Sequence, residues 1–339
     1  MKKWMRLATV LVAGSHMLVG ASAVLAQEAG KVDERTVDLG REAIALAQSG
    51  FSAKLWERFD ATMRQAIGSE EALKGVLASI GSQLGQPGQR LSERIERVQG
   101  QRVYVALYEY EKVDAPVVAT VAFTAEDRVS GLWLRPQPTP APTEHLDYLT
   151  RTQLRLPFDG EWYVFWGGRS PQQNYHVISA DQRFAYDFVI RRNGRSYEGD
   201  GSSNSDYFCF GEPILAPGSG IVLKVVNGIP DNRPGVMNPA QPSGNTVVID
   251  HGEGEYSVLA HFQNGSLTVQ ENDTVAAGQQ LGLCGNSGNS SEPHLHYHLQ
   301  DGPGILAGAG LPAYFIDYIA DGTPVERGEP TRGQHIRKR

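Results

Sequence analysis

The chain has 339 residues, 40% hydrophobic and 20% charged, with 31 Lys and Arg against 38 Asp and Glu and a net charge of −7. Such a composition suits an exported globular protein, and its acidic balance argues against nucleic acid as a partner. Its two cysteines, Cys209 and Cys284, allow one disulfide in an oxidising compartment, the alternative being two buried thiols.

At the N-terminus Lys2, Lys3 and Arg6 precede an apolar run from Leu7 to Leu25, and Val24-Leu25-Ala26 offers a cleavage site before Gln27. Residues 1–26 are therefore expected to be a signal peptide that sends the protein to the periplasm or the extracellular space. Gly14, Ser15, His16 and Gly20 interrupt the run, so a retained span is the lesser reading and no stable membrane span is expected after removal.

Residues 27–134 follow as a small α+β accessory unit. Leu39, Ala43, Ile44 and Ala47 recur at helical spacing within Val32 to Ser82, and Arg102 to Trp133 reads as strands. Proline then stands at every second position from Pro136 to Pro142, which predicts an extended spacer over residues 135–149. Residues 150–339 are expected to form a mostly antiparallel β domain, with turns at Asn227-Gly228, His251-Gly252, Glu253-Gly254 and Asn264-Gly265. The Pro-, Gly- and Asn-rich stretch from Asn227 to Ser243 reads as a loop at a groove rim. The chain after Asp301 reads as a peripheral extension.

Chemistry concentrates in Pro293-His294-Leu295-His296, reached through a glycine- and serine-rich run from Gly285 to Ser291. In an extended strand residues i and i+2 share a face, so His294 and His296 converge on one site while Leu295 and Tyr297 pack behind them. Neutral imidazole is the commonest metal ligand, and a catalytic zinc usually takes about three protein ligands, so partners must come from elsewhere. No HExxH helix motif is present, which points to ligands gathered from separate strands. His16, His145 and His335 fall in the leader, the linker and a basic tail, leaving His176, His251, His261 and His298. Asp187 is a lone acid among Phe184, Tyr186 and Phe188, and its buried carboxylate needs a cation, an arginine or a metal beside it. Tyr256 to Phe262 reads as a strand carrying His261 near its end. His251 is explained by its turn, and His298 shares the face of His296, where packing and support of the site are equally open.

These segments resemble lysostaphin-type (LytM-like) zinc metallopeptidases, bacterial cell-wall endopeptidases, over roughly the last half of the chain. Gly211 to Val222 resembles that family's first core hairpin, and Val275 to Gly282 its later turn. The resemblance implies an all-β peptidase domain, one Zn²⁺ held by His176, Asp187 and His296, and His261 and His294 as unligated catalytic histidines. It leaves open which of the two is the base. Here His176 precedes Asp187 by eleven positions, further than in many members, so the intervening residues must loop back; otherwise Asp181 becomes the alternative carboxylate. A bridge between Cys209 and Cys284 would help to fix the loop carrying His294. The N-terminal unit loosely resembles NTF2-like accessory domains.

The expected function is hydrolysis of peptide cross-links in peptidoglycan by metal-activated water. Degenerate relatives act instead as non-catalytic activators of other wall hydrolases, so a regulatory protein is a candidate partner, but loss of ligands marks that class and the candidates are present here. Ala216 to Gly220 and Val275 to Gly282 also resemble biotinyl and lipoyl carrier modules. Those need a lysine in a tight hairpin turn, whereas Lys224 lies in an apolar strand.

Overall fold

The computed structural model describes residues 34–98 and 101–339; the expected signal peptide lies outside them. The chain divides into two compact units between Pro138 and Thr139.

In the first unit four helices, α1 (Glu34–Gln48), α2 (Ser52–Arg58), α3 (Ala61–Ile67) and α4 (Glu70–Leu84), precede a four-stranded antiparallel sheet. Its strands β1 (Pro87–Val98), β2 (Gln101–Tyr110), β3 (Val113–Phe123) and β4 (Val129–Pro136) run in sequential order. Asp60 and Ser69 cap α3 and α4 by accepting from Met63 N–H and Ala72 N–H, satisfying backbone donors that a helix start leaves free. The buried face of α1 (Val37, Gly40, Ala43, Ile44, Ala47) follows helical spacing, and Gly40 lies so close to the Tyr104 ring that a Cβ there would meet it at 2.2 Å. Strand β1 was not expected from the sequence: Arg90, Glu93, Arg94, Glu96 and Arg97 give it a charged pattern suited to a sheet edge.

The residues expected as a spacer are shared between the units. Pro136 ends β4, while Ala141 N–H donates to Val177 O in the second unit. Further on, the buried Glu255 carboxylate accepts from the backbone of Arg151 and Thr152 and from the Tyr148 hydroxyl, tying the segment down.

The second unit is antiparallel β. Its strands are β5 (Glu161–Trp166), β6 (Tyr186–Val189), β7 (Pro213–Leu215), β8 (Gly220–Val226), β9 (Asn245–Asp250), β10 (Tyr256–Phe262), β11 (Thr274–Val275), β12 (Gln280–Leu283), β13 (Leu295–Gln300), β14 (Gly310–Leu311), β15 (Phe315–Ala320), β16 (Thr323–Gly328) and β17 (His335–Lys338). Most join one sheet in the order β11-β8-β9-β10-β13-β6-β5-β17-β15-β16, with β14 added to β13 and a separate β7/β12 pair. Beneath it lies a core of Phe158, Trp162, Tyr186, Phe188, Leu259, Phe262, Leu295, Tyr297, Leu299 and Phe315, among others. Lys224 stands in β8 and pairs with Glu271.

Two expectations are corrected. The chain beyond Asp301 is not peripheral: β17 closes the gap between β5 and β15, with Ile336 fully buried opposite Trp162. Its pattern is short and polar on one side, which hides it in the sequence. Cys209 and Cys284 are both free and buried, with Cys209 Sγ donating to Pro293 O at 3.0 Å, so the loop before His294 is held by a thiol hydrogen bond instead of a bridge.

Ile336→Ala should therefore cost about 2–5 kcal/mol, the range for a buried aliphatic truncation. Urea unfolding checks this; a change below about 0.5 kcal/mol, as expected of a surface tail, would contradict the placement of β17.

Candidate metal centre

Strand alternation builds the site on β13. Leu295, Tyr297 and Leu299 face the core, and His296, His298 and Gln300 line the other face, all buried. On the neighbouring β6, Tyr186 and Phe188 join the core and Asp187 faces the opposite way, directly across the ladder from His296. The register alone thus brings a carboxylate against an imidazole: Asp187 Oδ1 and His296 Nδ1 are 3.0 Å apart.

His176 arrives from a loop. It lies in a 3₁₀ turn, Tyr175–Ile178, preceded by Asn174, whose side-chain NH2 donates to Gly168 O at 3.1 Å and to Ala185 O at 2.8 Å. Those bonds fold the long segment back onto the start of β6 and bring His176 Nε2 to 3.6 Å from Asp187 Oδ2. One donor atom each from His176, Asp187 and His296 lies within 4.8 Å of the other two. Asp181 is not part of that cluster, and its carboxylate accepts from Gln182 N–H.

His261 reaches the same face by a different route. Simple alternation in β10 would put it in the core with Leu259, but a bulge between Leu259 and Phe262 hands that place to Phe262. His261 takes φ +65, a conformation costly for a residue with a Cβ, and turns toward His294, with ring centroids 4.7 Å apart. Its Nδ1–H donates to Ser287 O at 2.7 Å, and His294 Nδ1–H donates to Glu292 O at 2.8 Å. A carbonyl only accepts, so both neutral rings leave Nε2 as their basic nitrogen. His294 Nε2 lies 3.6 Å from Asp187 Oδ1.

The two carbonyls are held by a laced pair of loops. Asn232 Nδ2 donates to Gly288 O and Ser290 O, and Asn286 N–H donates to Asp231. Gly288 takes φ +82 and lies so close to Gly244 that a Cβ would meet its nitrogen at 2.4 Å. The segment read as a rim loop, Asn227 to Ser243, is thus packed against the glycine- and serine-rich run before His294.

His298 stands behind His296, with its Nδ1 3.0 Å from His296 Nε2. His251 is elsewhere, held between Ser219 O and Ser257 Oγ, as its turn suggests. Asn174, Gln300 and Glu292 were not anticipated; an amide or acid outside a metal motif carries no signal until its partners are known.

Burial sets the charges. It holds His176 and His261 well below the ordinary histidine range and lowers His296 to about 4 and His298 to about 3. The same desolvation raises Asp187 to about 6, against the opposing pull of His294, and Glu292 to about 7. The donor set fits a divalent cation: with His296 neutral and its Nδ1 unprotonated, a lone pair would face a carboxylate oxygen at 3.0 Å, a contact that needs a proton or a positive ion between them. Two imidazoles and a carboxylate are also a ligand set that zinc accepts.

Residues 204–305 match the model described as Peptidase family M23. The match includes His261, His294 and His296 but begins after His176 and Asp187. Among similar proteins, the peptidoglycan DD-endopeptidase ShyA of Vibrio cholerae is 34% identical over 154 residues, covering 45% of this chain and 28% of its own. The murein hydrolase activator EnvC of Escherichia coli is 33% identical over 75 residues, covering 22% of this chain and 17% of its own. The chain thus spans less than a third of either relative. Among solved structures, the catalytic domain of the prophage-encoded M23 protein EnpA from Enterococcus faecalis aligns over 47% of this chain and 94% of its own, at 20% identity and a TM-score of 0.31.

Asp187 provides a stability test on chelator-treated protein. Its folded pKa is raised from 3.8 to about 6, so its contribution is fully present below about pH 3.8 and is lost as pH rises through 6. Asp187→Asn should therefore stabilise the metal-free protein at pH 7.5, by up to about 3 kcal/mol for a shift of roughly two units, with no gain at pH 3.5. Thermal melts at the two pH values check this; an Asn variant less stable at pH 7.5 would contradict the buried-charge description.

Proposed function

We propose that this protein is an exported zinc-dependent endopeptidase that hydrolyses the peptide cross-links of bacterial peptidoglycan. The observation that carries the reading is the convergence of His176, Asp187 and His296 on one point, with the Nε2 atoms of two further histidines, His261 and His294, left basic beside it. The match to the M23 family supports peptide hydrolysis, and the printed name of the Vibrio relative supports peptidoglycan as the substrate. Export rests on the leader in the sequence; among the described residues no helix is long and apolar enough to cross a membrane.

Zinc held by His176, Asp187 and His296 would supply Lewis acidity, polarising a peptide carbonyl and bringing the pKa of water to about 7. The chain does the rest. In the neutral form of His261 and of His294, Nδ1–H is fixed on a backbone carbonyl and Nε2 is the bare nitrogen, so either ring could take a proton without reorienting. The imidazolium so formed donates Nε2–H toward an oxyanion or a leaving amine. Burial disfavours the charged form of His261, so its ring is neutral at neutral pH. The bulge at His261 aims the ring, and the laced loops hold both carbonyl acceptors.

A second reading, a peptidase-like regulator that activates another wall hydrolase, draws on the printed name of EnvC. The complete donor set favours the enzyme, since a regulator has no need of it.

The protein without residues 1–26 should bind about one zinc per chain and release soluble muropeptides from sacculi. His296→Ala should lose the metal and the activity together. His261→Ala should keep the metal and lose activity by about 100-fold or more, the usual weight of a general acid–base group. Elemental analysis and mass spectrometry of the released fragments check this, and equal zinc loss in both variants would refute the division of roles.

A further inference from the structure

The ligand face of β13 continues past His296 as a chain of buried polar side chains with a single possible direction. Gln300 Nε2 donates to two backbone carbonyls, Gly302 O at 2.6 Å and Gly304 O. Carbonyls cannot donate, so the amide NH2 must face them and Oε1 must face back along the strand. His298 Nε2 lies 3.0 Å from that oxygen and must carry the proton between them. His298 Nδ1 is then a bare acceptor in the neutral ring, 3.0 Å from His296 Nε2, which must carry its own proton. What is left on His296 is an unprotonated Nδ1 facing Asp187. His298 and Gln300 are fully buried, and the bonds from His296 to His298 and from His298 to Gln300 are buried with them.

The other ligand histidine is treated the same way. Asn174, also fully buried, fixes its NH2 on Gly168 O and Ala185 O, which turns Oδ1 toward His176. That oxygen lies 2.9 Å from His176 Nδ1 and accepts its proton, leaving Nε2 bare toward Asp187. In both cases a carboxamide anchored on two backbone carbonyls dictates which imidazole nitrogen is free. One acts directly, the other through a second imidazole.

We propose that Asn174 and the His298–Gln300 pair are positioning residues that preset the ligand tautomers, Nε2 free on His176 and Nδ1 free on His296, before any metal enters the site. A neutral histidine in water has both tautomers within reach, and the wrong one puts an N–H where the metal bond must form. Locking the proton on the far nitrogen removes that competition and holds the ring plane. The device deepens the zinc-site reading and rests on it only for the identity of the metal, since the hydrogen-bond directions follow from the protein alone.

The first test needs no substitution. Nitrogen-15 NMR of histidine-labelled protein, with and without zinc, should show neutral His298 protonated at Nε2 alone, and on adding zinc His176 bound through Nε2 and His296 through Nδ1. His298 protonated at Nδ1, or either ligand bound through its other nitrogen, would overturn the proposal. The second test is zinc affinity by competition with a chromogenic chelator. His298→Phe removes the acceptor and keeps a flat ring, and zinc binding should weaken by about 10- to 100-fold. His298→Gln restores an acceptor oxygen and should recover most of the loss. Should His298→Phe stay folded by circular dichroism and bind zinc as tightly as the parent, the positioning role fails. Both readouts are taken without substrate, so a protein that binds zinc but cuts no sacculi would sink the functional reading and leave the tautomer result standing.

Discussion

His296 Nδ1 and Asp187 Oδ1 face each other at 3.0 Å across the β6–β13 ladder, on a buried polar face of the sheet. Everything else around the site answers that contact. Burial lowers the imidazole to about 4 and raises the carboxyl to about 6, so at neutral pH an ionised Asp187 has no protonated His296 beside it. A cation would satisfy both at once, and His176 would complete its coordination from a separate loop. Substituting a metal for a proton converts an unfavourable burial into a reason for the fold to hold that geometry.

The machinery divides into a rigid part and an imported part. His296, His298, Gln300 and Asp187 are placed by strand register, where a one-residue slip would send every one of them to the core face. His176 and His261 need special backbone: a 3₁₀ turn tied down by Asn174, and a bulge with positive φ. Strain of this kind persists only where the surroundings over-determine it, and at His261 they do: Phe262 fills the core position and Ser287 O holds the ring. Hydrogen-bond direction then prepares the chemistry. Carbonyl acceptors leave Nε2 basic on His261 and His294, and anchored amides leave the metal-facing nitrogens bare on His176 and His296.

What was legible in the sequence follows from the same distinction. His294, His296 and Asp187 could be singled out because period-two alternation is a local property, visible whenever apolar residues mark the other face. The closing of the ten-residue stretch between His176 and Asp187 was not visible, because it depends on an Asn side chain reaching Ala185 O. The strand β1 and the closing strand β17 were missed for a related reason: charged edge residues and a short, half-polar pattern lack the apolar periodicity that marks a strand. Nor did the two cysteines declare their state. The loop is held by Cys209 Sγ on Pro293 O, a contact no spacing rule encodes. Gln300 and His298 lay in plain view on the face of His296, but the direction of their hydrogen bonds appears only when Gly302 O and Gly304 O are seen to fix the amide.

One divalent ion is proposed to bridge the strand pair and the 3₁₀ turn. Anomalous scattering at the zinc edge from crystals of the zinc-treated protein tests it most directly. A single strong peak about 2.0–2.2 Å from His176 Nε2, an Asp187 oxygen and His296 Nδ1 is the predicted result. No peak there, or a zinc held by other side chains while these three keep to hydrogen bonds among themselves, would contradict it.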